Sequence, residues 1–171
     1  INCGLNATAP VQVTIHNSAN ATLTNVPVKY LLNNGNWVTE IIPSIAANTR
    51  LQYQFTQTIN LASPGVYDLK TLVDYPGDSY RKNDTAALKF TNLPLVNSFP
   101  YVQDFEAGNG GWYTEGANTS WQYGTPASAL INGAASGSKA WKTTLAGNYK
   151  ESEYSFLYSP CIQLTGMTKA T

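Results

Sequence analysis

The chain has 171 residues, of which ten are basic, ten acidic and one histidine, so its formal net charge is zero. Such a balance supplies neither the basic stripe that a phosphate backbone demands nor a polybasic patch for anionic lipid, and nucleic acid is excluded as an expected partner. Only 12% of residues are charged, Thr, Asn, Ser and Tyr are plentiful, and no apolar run approaches the roughly 20 residues of a transmembrane helix, which together give the profile of an extracellular β protein.

The expected elements begin with "VQVTIHN", which sends Val11, Val13 and Ile15 to one face and Gln12, Thr14 and His16 to the other. "VPVKYLL" does the same with Val26, Val28, Tyr30 and Leu32, and this period of two is the signature of a half-buried strand. The "NNGN" of Asn33–Asn36 offers the positive φ angles of a hairpin turn into "WVTEII". "RLQYQF" places Leu51, Tyr53 and Phe55 on one face, "GVYDLKTLVDY" places Tyr67, Leu69, Thr71 and Val73, and "TAALKF" closes the set. Turn signals recur about every ten residues, so residues 1–93 are expected to form a seven-stranded Ig-like sandwich. No stretch holds a helical period over three turns. The fold class is all-β.

"TNLPLVNSFPYVQ", Thr91 to Gln103, reads as a stiff extended joint because of its two prolines. Beyond it glycine and aromatics rise, and "SWQYG", "KAWKTTL" and "SFLYSPCIQL" read as strands. Residues 97–171 are expected to be the leading part of a second β-sandwich, truncated at "QLTGMTKAT", as Ile1 reads as an internal start. An incomplete sheet leaves edges that invite pairing, above all at "YSFLYSPCIQL", where Phe156, Leu157 and Tyr158 lie together with little charge. Cys3 and Cys161 pair with each other, pair with cysteines elsewhere, or stay as small buried apolar groups; spacing does not decide among these.

Catalysis needs a nucleophile with a base, paired carboxylates across a cleft, or a metal-ligand cluster. The one histidine, His16, sits on the polar side of its strand, and no G-x-S-x-G elbow, P-loop or H-E-x-x-H is present. On a strand, Asp104 and Glu106 would share one face beside Phe105, whereas glycosidic chemistry needs carboxyls roughly 5–9.5 Å apart across a cleft. No catalytic residue is assigned, and the chain reads as non-enzymatic. Trp112, Trp121 and Trp141 stack on sugar rings if exposed, or fill the core with each indole N–H on a carbonyl; Trp112 and Trp121 are the candidate ligand-binding pair. Sequons at Asn6, Asn20, Asn83 and Asn118 are within reach of chance in so Asn- and Thr-rich a chain.

The stretches "VQVTIHNSANATLTNVPVKYLLNNG" and "GVYDLKTLVDYPGDSYRKNDT" resemble the Ig-like, cell-adhesion-related repeats common in secreted proteins of the Bacteroidetes. That resemblance covers nearly all of residues 1–92 and implies a spacer, adhesion or protein-interaction module. "GWYTEGANTSWQYGTP" and "ASGSKAWKTTLAGNYKESEYSFLYSPCIQL" look like the start of a jelly-roll module similar to MAM and concanavalin-like domains, over most of residues 105–164. The second resemblance implies a place beside secreted peptidases and glycosidases or in surface adhesins, export by the type IX route, and polysaccharide or surface glycan as a partner besides neighbouring domains of the same chain. It also implies an edge calcium site, with the Glu106 carboxylate and backbone carbonyls of Ser136 to Lys139 as ligands. Calcium takes six to eight such oxygens, and a solvated strand-end glutamate is the alternative. Thr85, in "DTA", matches the loose O-glycosylation pattern of the same organisms.

Overall fold

The computed structural model describes residues 1–166. It divides into two compact units, Ile1–Asn92 and Leu93–Thr171, and both are built of strands; the described residues add only a 3₁₀ turn at Arg81–Asn83. Among the described residues no helix is long and apolar enough to cross a membrane.

The first unit pairs β1 (Asn2–Cys3), β7 (Thr85–Leu93), β6 (Gly65–Val73), β3 (Leu23–Leu32) and β4 (Val38–Ile45), in that order, in one sheet. A second sheet holds only β2 (Gln12–Asn17) and β5 (Thr49–Gln54). Period-two alternation decides what is buried between them. Val26, Val28 and Tyr30 of β3, Ile42 and Ile45 of β4, Ile15 of β2 and Tyr67 of β6 join Val11, Phe55, Ile59 and Leu61 in one buried cluster. The Tyr30 and Phe55 rings meet edge to face at 4.8 Å. Each large apolar side chain buried in this way contributes about 1.5–3 kcal/mol.

Two polar side chains are sealed inside the same unit. Asn17 continues the inward phase of β2, and its Nδ2 donates to the carbonyls of Ala21, Ile45 and Ala46 at 2.9–3.0 Å. Asn92 donates to the Leu61 carbonyl at 2.8 Å and accepts the Leu5 N–H at 3.2 Å. In the hairpin between β3 and β4 the left-handed residue is Asn33, with φ of 53°. Its N–H donates to the Asp68 carbonyl and its Oδ1 accepts the Asp68 N–H, so the turn is tied to β6 as well as to its own strands.

One face departs from the expected packing. Phe90 of β7 stacks on Tyr67, which sets Ala86 and Leu88 in the same inward phase, yet Leu88 is 59% exposed. A two-stranded sheet is too narrow to cover all five strands opposite it.

The second unit contains β8 (Leu95–Val96), β9 (Tyr113–Ala117), β10 (Trp121–Gly124), β11 (Ala140–Thr143), β12 (Tyr154–Tyr158) and β13 (Cys161–Ile162). β10 pairs antiparallel with β11, β9 antiparallel with β12, and β8 parallel with β13. The stretch Thr91–Gln103 is therefore not a uniform connector. Thr91–Leu93 completes β7, and Pro94, which has no N–H to give, still accepts the Cys161 N–H at its carbonyl. The "SFLYSPCIQL" run divides into two strands, with Ser159 and Pro160 between them. Alternation also separates Leu157 from Phe156 and Tyr158, which face the other side of β12. Neither cysteine is a free thiol. The buried apolar cluster lies wholly in the first unit; in the second, most aromatics are half-buried and carboxylate hydrogen bonds join its loops.

Candidate functional site: a clasped loop and an aromatic row

The segment carrying Asp104 and Glu106 is not a strand. Phe105 adopts the left-handed conformation, with φ of 65°, a costly state for a non-glycine residue, and the surrounding bonds fix it. Its N–H donates to the Gln103 side chain, and its carbonyl accepts the Tyr123 hydroxyl. The Asp104 carboxylate accepts the Glu106 N–H at 3.0 Å. The two carboxylates therefore do not face each other across a cleft, and Glu106 turns onto the loop before β11.

There the Glu106 Oε1 accepts the N–H groups of Ser138 and Lys139 at 2.9 and 2.7 Å, and Oε2 accepts the Ser138 hydroxyl at 2.9 Å. Lys139 Nζ donates to the Glu106 carbonyl at 3.2 Å and lies 6.0 Å over the Tyr123 ring. The N–H groups of Lys139 and Ser138, followed by the Ser138 hydroxyl, hold the Glu106 carboxyl below the usual carboxylate range. The structure thus joins Glu106, Ser138 and Lys139, while Ser136 stands exposed at the start of the turn. The loop meets the carboxylate with N–H and O–H donors where carbonyl oxygens were expected. Such a donor set, with an ammonium beside it, fits an anion and does not fit calcium. Among the described residues no three His, Cys, Asp or Glu side chains gather into a metal site.

Glu153, which sequence reasoning passed over, repeats the arrangement. It accepts the Ser120 N–H at 3.0 Å and the hydroxyls of Ser120 and Ser155, and the Ser120 and Ser155 hydroxyls lead in lowering its pKa to about 2. In the first unit Glu40 accepts the Tyr53 phenol and both the N–H and hydroxyl of Thr56. The Glu40 carboxylate, ahead of desolvation, raises the Tyr53 phenol to about 12.

The candidate tryptophans are not free platforms. Trp112 is half-buried, edge-on to Phe105 at 5.6 Å, and its indole N–H is enclosed without an acceptor. Trp121 is half-buried in β10 opposite Thr143. Trp141 donates its indole N–H to the Asn109 carbonyl at 3.1 Å and tilts against Tyr123. A contiguous row of aromatics, open at one end, lies on β12 instead. Tyr154, Phe156 and Tyr158 occupy alternate positions, so their rings share one face, with centroids 5.0 and 5.9 Å apart, and Tyr158 stacks on Tyr113 of β9 at 5.6 Å. Tyr154 is 70% and Phe156 41% exposed. Exposed Glu115 is the register partner of Phe156. The signal for this row was the Tyr-x-Phe-x-Tyr alternation itself.

In the first unit a cleft of about 500 Å³ opens beside β2, lined by Val13, Ile15, Val28, Leu69, Val73 and Leu88. Of the charged groups at its rim, Lys29 is paired with Asp74 at 2.7 Å and Asp84 with Arg81 at 3.0 Å. His16 is exposed on its strand, and Thr85 is exposed at the start of β7.

No family model matches the chain, and no solved structure matches it. Among curated proteins, Bacillopeptidase F of Bacillus subtilis (strain 168) is similar to it, 31% identical over 144 residues. The match covers 84% of this chain and 10% of that protein, so the chain spans about a tenth of the relative's length. An alignment of that length is longer than either unit and crosses the boundary between them.

Proposed function

We propose that the chain is a non-catalytic pair of accessory modules in a larger extracellular hydrolase of peptidase type. The observation that carries this reading is the similarity to Bacillopeptidase F, which runs through both units yet occupies a tenth of that protein. Disulfide-bonded cysteines support an oxidising, extracellular setting. The pair presents neighbouring domains of the same polypeptide and holds the protein to a surface. The row of Tyr154, Phe156 and Tyr158, exposed at its first two rings, favours polysaccharide or surface glycan as what is held, since aromatic faces stack on the apolar faces of sugar rings while exposed carboxylates such as Glu115 reach hydroxyls.

A polysaccharide pull-down tests the holding role. Each ring contributes on the order of 1 kcal/mol, so the double change Tyr154→Ala and Phe156→Ala should weaken binding by about tenfold or more, whereas Trp121→Ala, if the fold is kept, should leave it near the original value. Binding that survives the double change and falls with Trp121→Ala would move the site to β10. Hydrolysis of a peptide or glycan by the purified chain would overturn the accessory reading.

A further inference from the structure

We propose that the turn Ser136–Lys139 is an anion-binding nest whose resident ligand is the chain's own Glu106 carboxylate, an internal clasp that takes the place of the edge calcium the jelly-roll resemblance implied. Two consecutive backbone N–H groups, of Ser138 and Lys139, converge on Oε1, and the Ser138 hydroxyl closes on Oε2. Convergent backbone N–H groups of this kind form a concave site for anions, and bonds to an ionised acceptor are the strong class of hydrogen bond. The turn is also shaped to its occupant. Gly137 is left-handed, with φ of 60°, and a Cβ there would run into the Glu106 carboxyl group. A side chain at position 137 is thus excluded twice, by the backbone and by the carboxylate seated on it.

The same geometry argues against a cation. Calcium needs oxygen lone pairs on most sides, and here three of the roughly four lone pairs of the Glu106 carboxylate already face hydrogens. The Glu106 carbonyl is taken by the Lys139 ammonium. Seating calcium would break three bonds to the carboxylate and place a divalent cation beside a fixed positive charge. The clasp joins positions 32 and 33 residues apart, in a unit whose described residues contribute nothing to the buried apolar cluster, and it fixes the strained Phe105 segment over the β10–β11 hairpin.

The experiment compares thermal midpoints of the full chain. For the unaltered chain, millimolar calcium and a chelator should give the same midpoint. Glu106→Ala should lower it by several degrees, and sodium formate, small enough to enter the vacated nest, should recover part of the loss that sodium chloride at equal ionic strength does not. A calcium-dependent rise that disappears in Glu106→Ala would overturn the proposal, as would a Glu106→Ala midpoint equal to the original or a formate effect no larger than that of chloride. If Glu106→Ala does not fold, Ser138→Ala, which removes only the hydroxyl donor, takes its place. That variant should melt lower and remain indifferent to calcium, and calcium-dependent melting in it would count against the clasp.

Discussion

Residue-scale chemistry in this chain is dominated by carboxylates that gather donors and buried amides that serve carbonyls. Glu40, Glu106 and Glu153 each gather backbone N–H and hydroxyl donors, and each has a lowered pKa. For Glu153, whose folded pKa is about 2 against an ordinary 4.5, the sign is fixed by linkage: its contribution is present above the ordinary value and is lost as pH falls towards about 2. Glu153→Gln should therefore flatten part of the loss of stability between about pH 4.5 and pH 2, seen as a smaller shift in urea midpoint between neutral and acid solution. An unchanged pH profile would remove Glu153 from the account. Asn17 makes the matching case for an amide. Replacing it by Ala leaves the buried carbonyl of Ile45 and its neighbours unsatisfied, at a cost of about 1–3 kcal/mol, measurable by denaturant unfolding. Two of the three carbonyls that Asn17 serves lie 28 and 29 residues away, beyond the reach of any local pattern. The clasp on Glu153 was hidden for the same reason, since Ser120 lies 33 residues away, whereas the jelly-roll resemblance had already put Glu106 beside the Ser136–Lys139 loop, with carbonyls in place of the N–H groups that face it.

At the scale of elements, alternation carried most of the reading. Val26, Val28 and Tyr30 are buried in β3, and Tyr67 in β6, where period two placed them. Alternation does not say how many strands lie opposite, which is why the inward-phase Leu88 came out exposed, nor does it reveal that Asp104–Glu106 leaves the strand conformation. It also left open which aromatics face water: Tyr154 and Phe156 are open, whereas Trp112 and Trp121 are half-buried. The β3–β4 hairpin shows composition deciding conformation in a way that can be tested. "NNGN" marked the turn correctly, but the left-handed residue is Asn33, not the glycine. Asn33→Ala loses the bond to the Asp68 N–H and puts a Cβ without a local polar partner in the left-handed region, a cost of roughly 1–2 kcal/mol for the backbone alone. Asn33→Gly loses the bond but relieves the backbone. Chemical denaturation should rank the original chain above Asn33→Gly and Asn33→Gly above Asn33→Ala; the reverse order of the two variants would show that left-handed backbone strain does not govern the turn.

For the molecule as a whole, the two units are held by different means. The first buries one continuous apolar cluster, drawn from β2, β3, β4 and β6 and the segments around them, and the long β3–β4 and β3–β6 ladders run through it. Among its described residues the second has three separate two-stranded pairings, no share of that cluster, and loops joined by carboxylate bonds at partly exposed positions. Apolar burial is cooperative over the cluster, whereas a bond open to water competes with solvent and opens locally at low cost. Hydrogen exchange on the full chain should therefore find its slowest amides in β3, at Val26, Val28 and Tyr30, with exchange through global unfolding. Amides of β9 and β10 should exchange faster through local opening, and their opening should rise further in Glu153→Gln at neutral pH, where the Glu153 carboxylate is ionised, while that of β3 stays unchanged under conditions where the first unit remains folded. If β9 and β10 were as protected as β3, the second unit would have to draw its stability from something other than its clasps, and the contrast between an apolar and a polar mode of closure would fail.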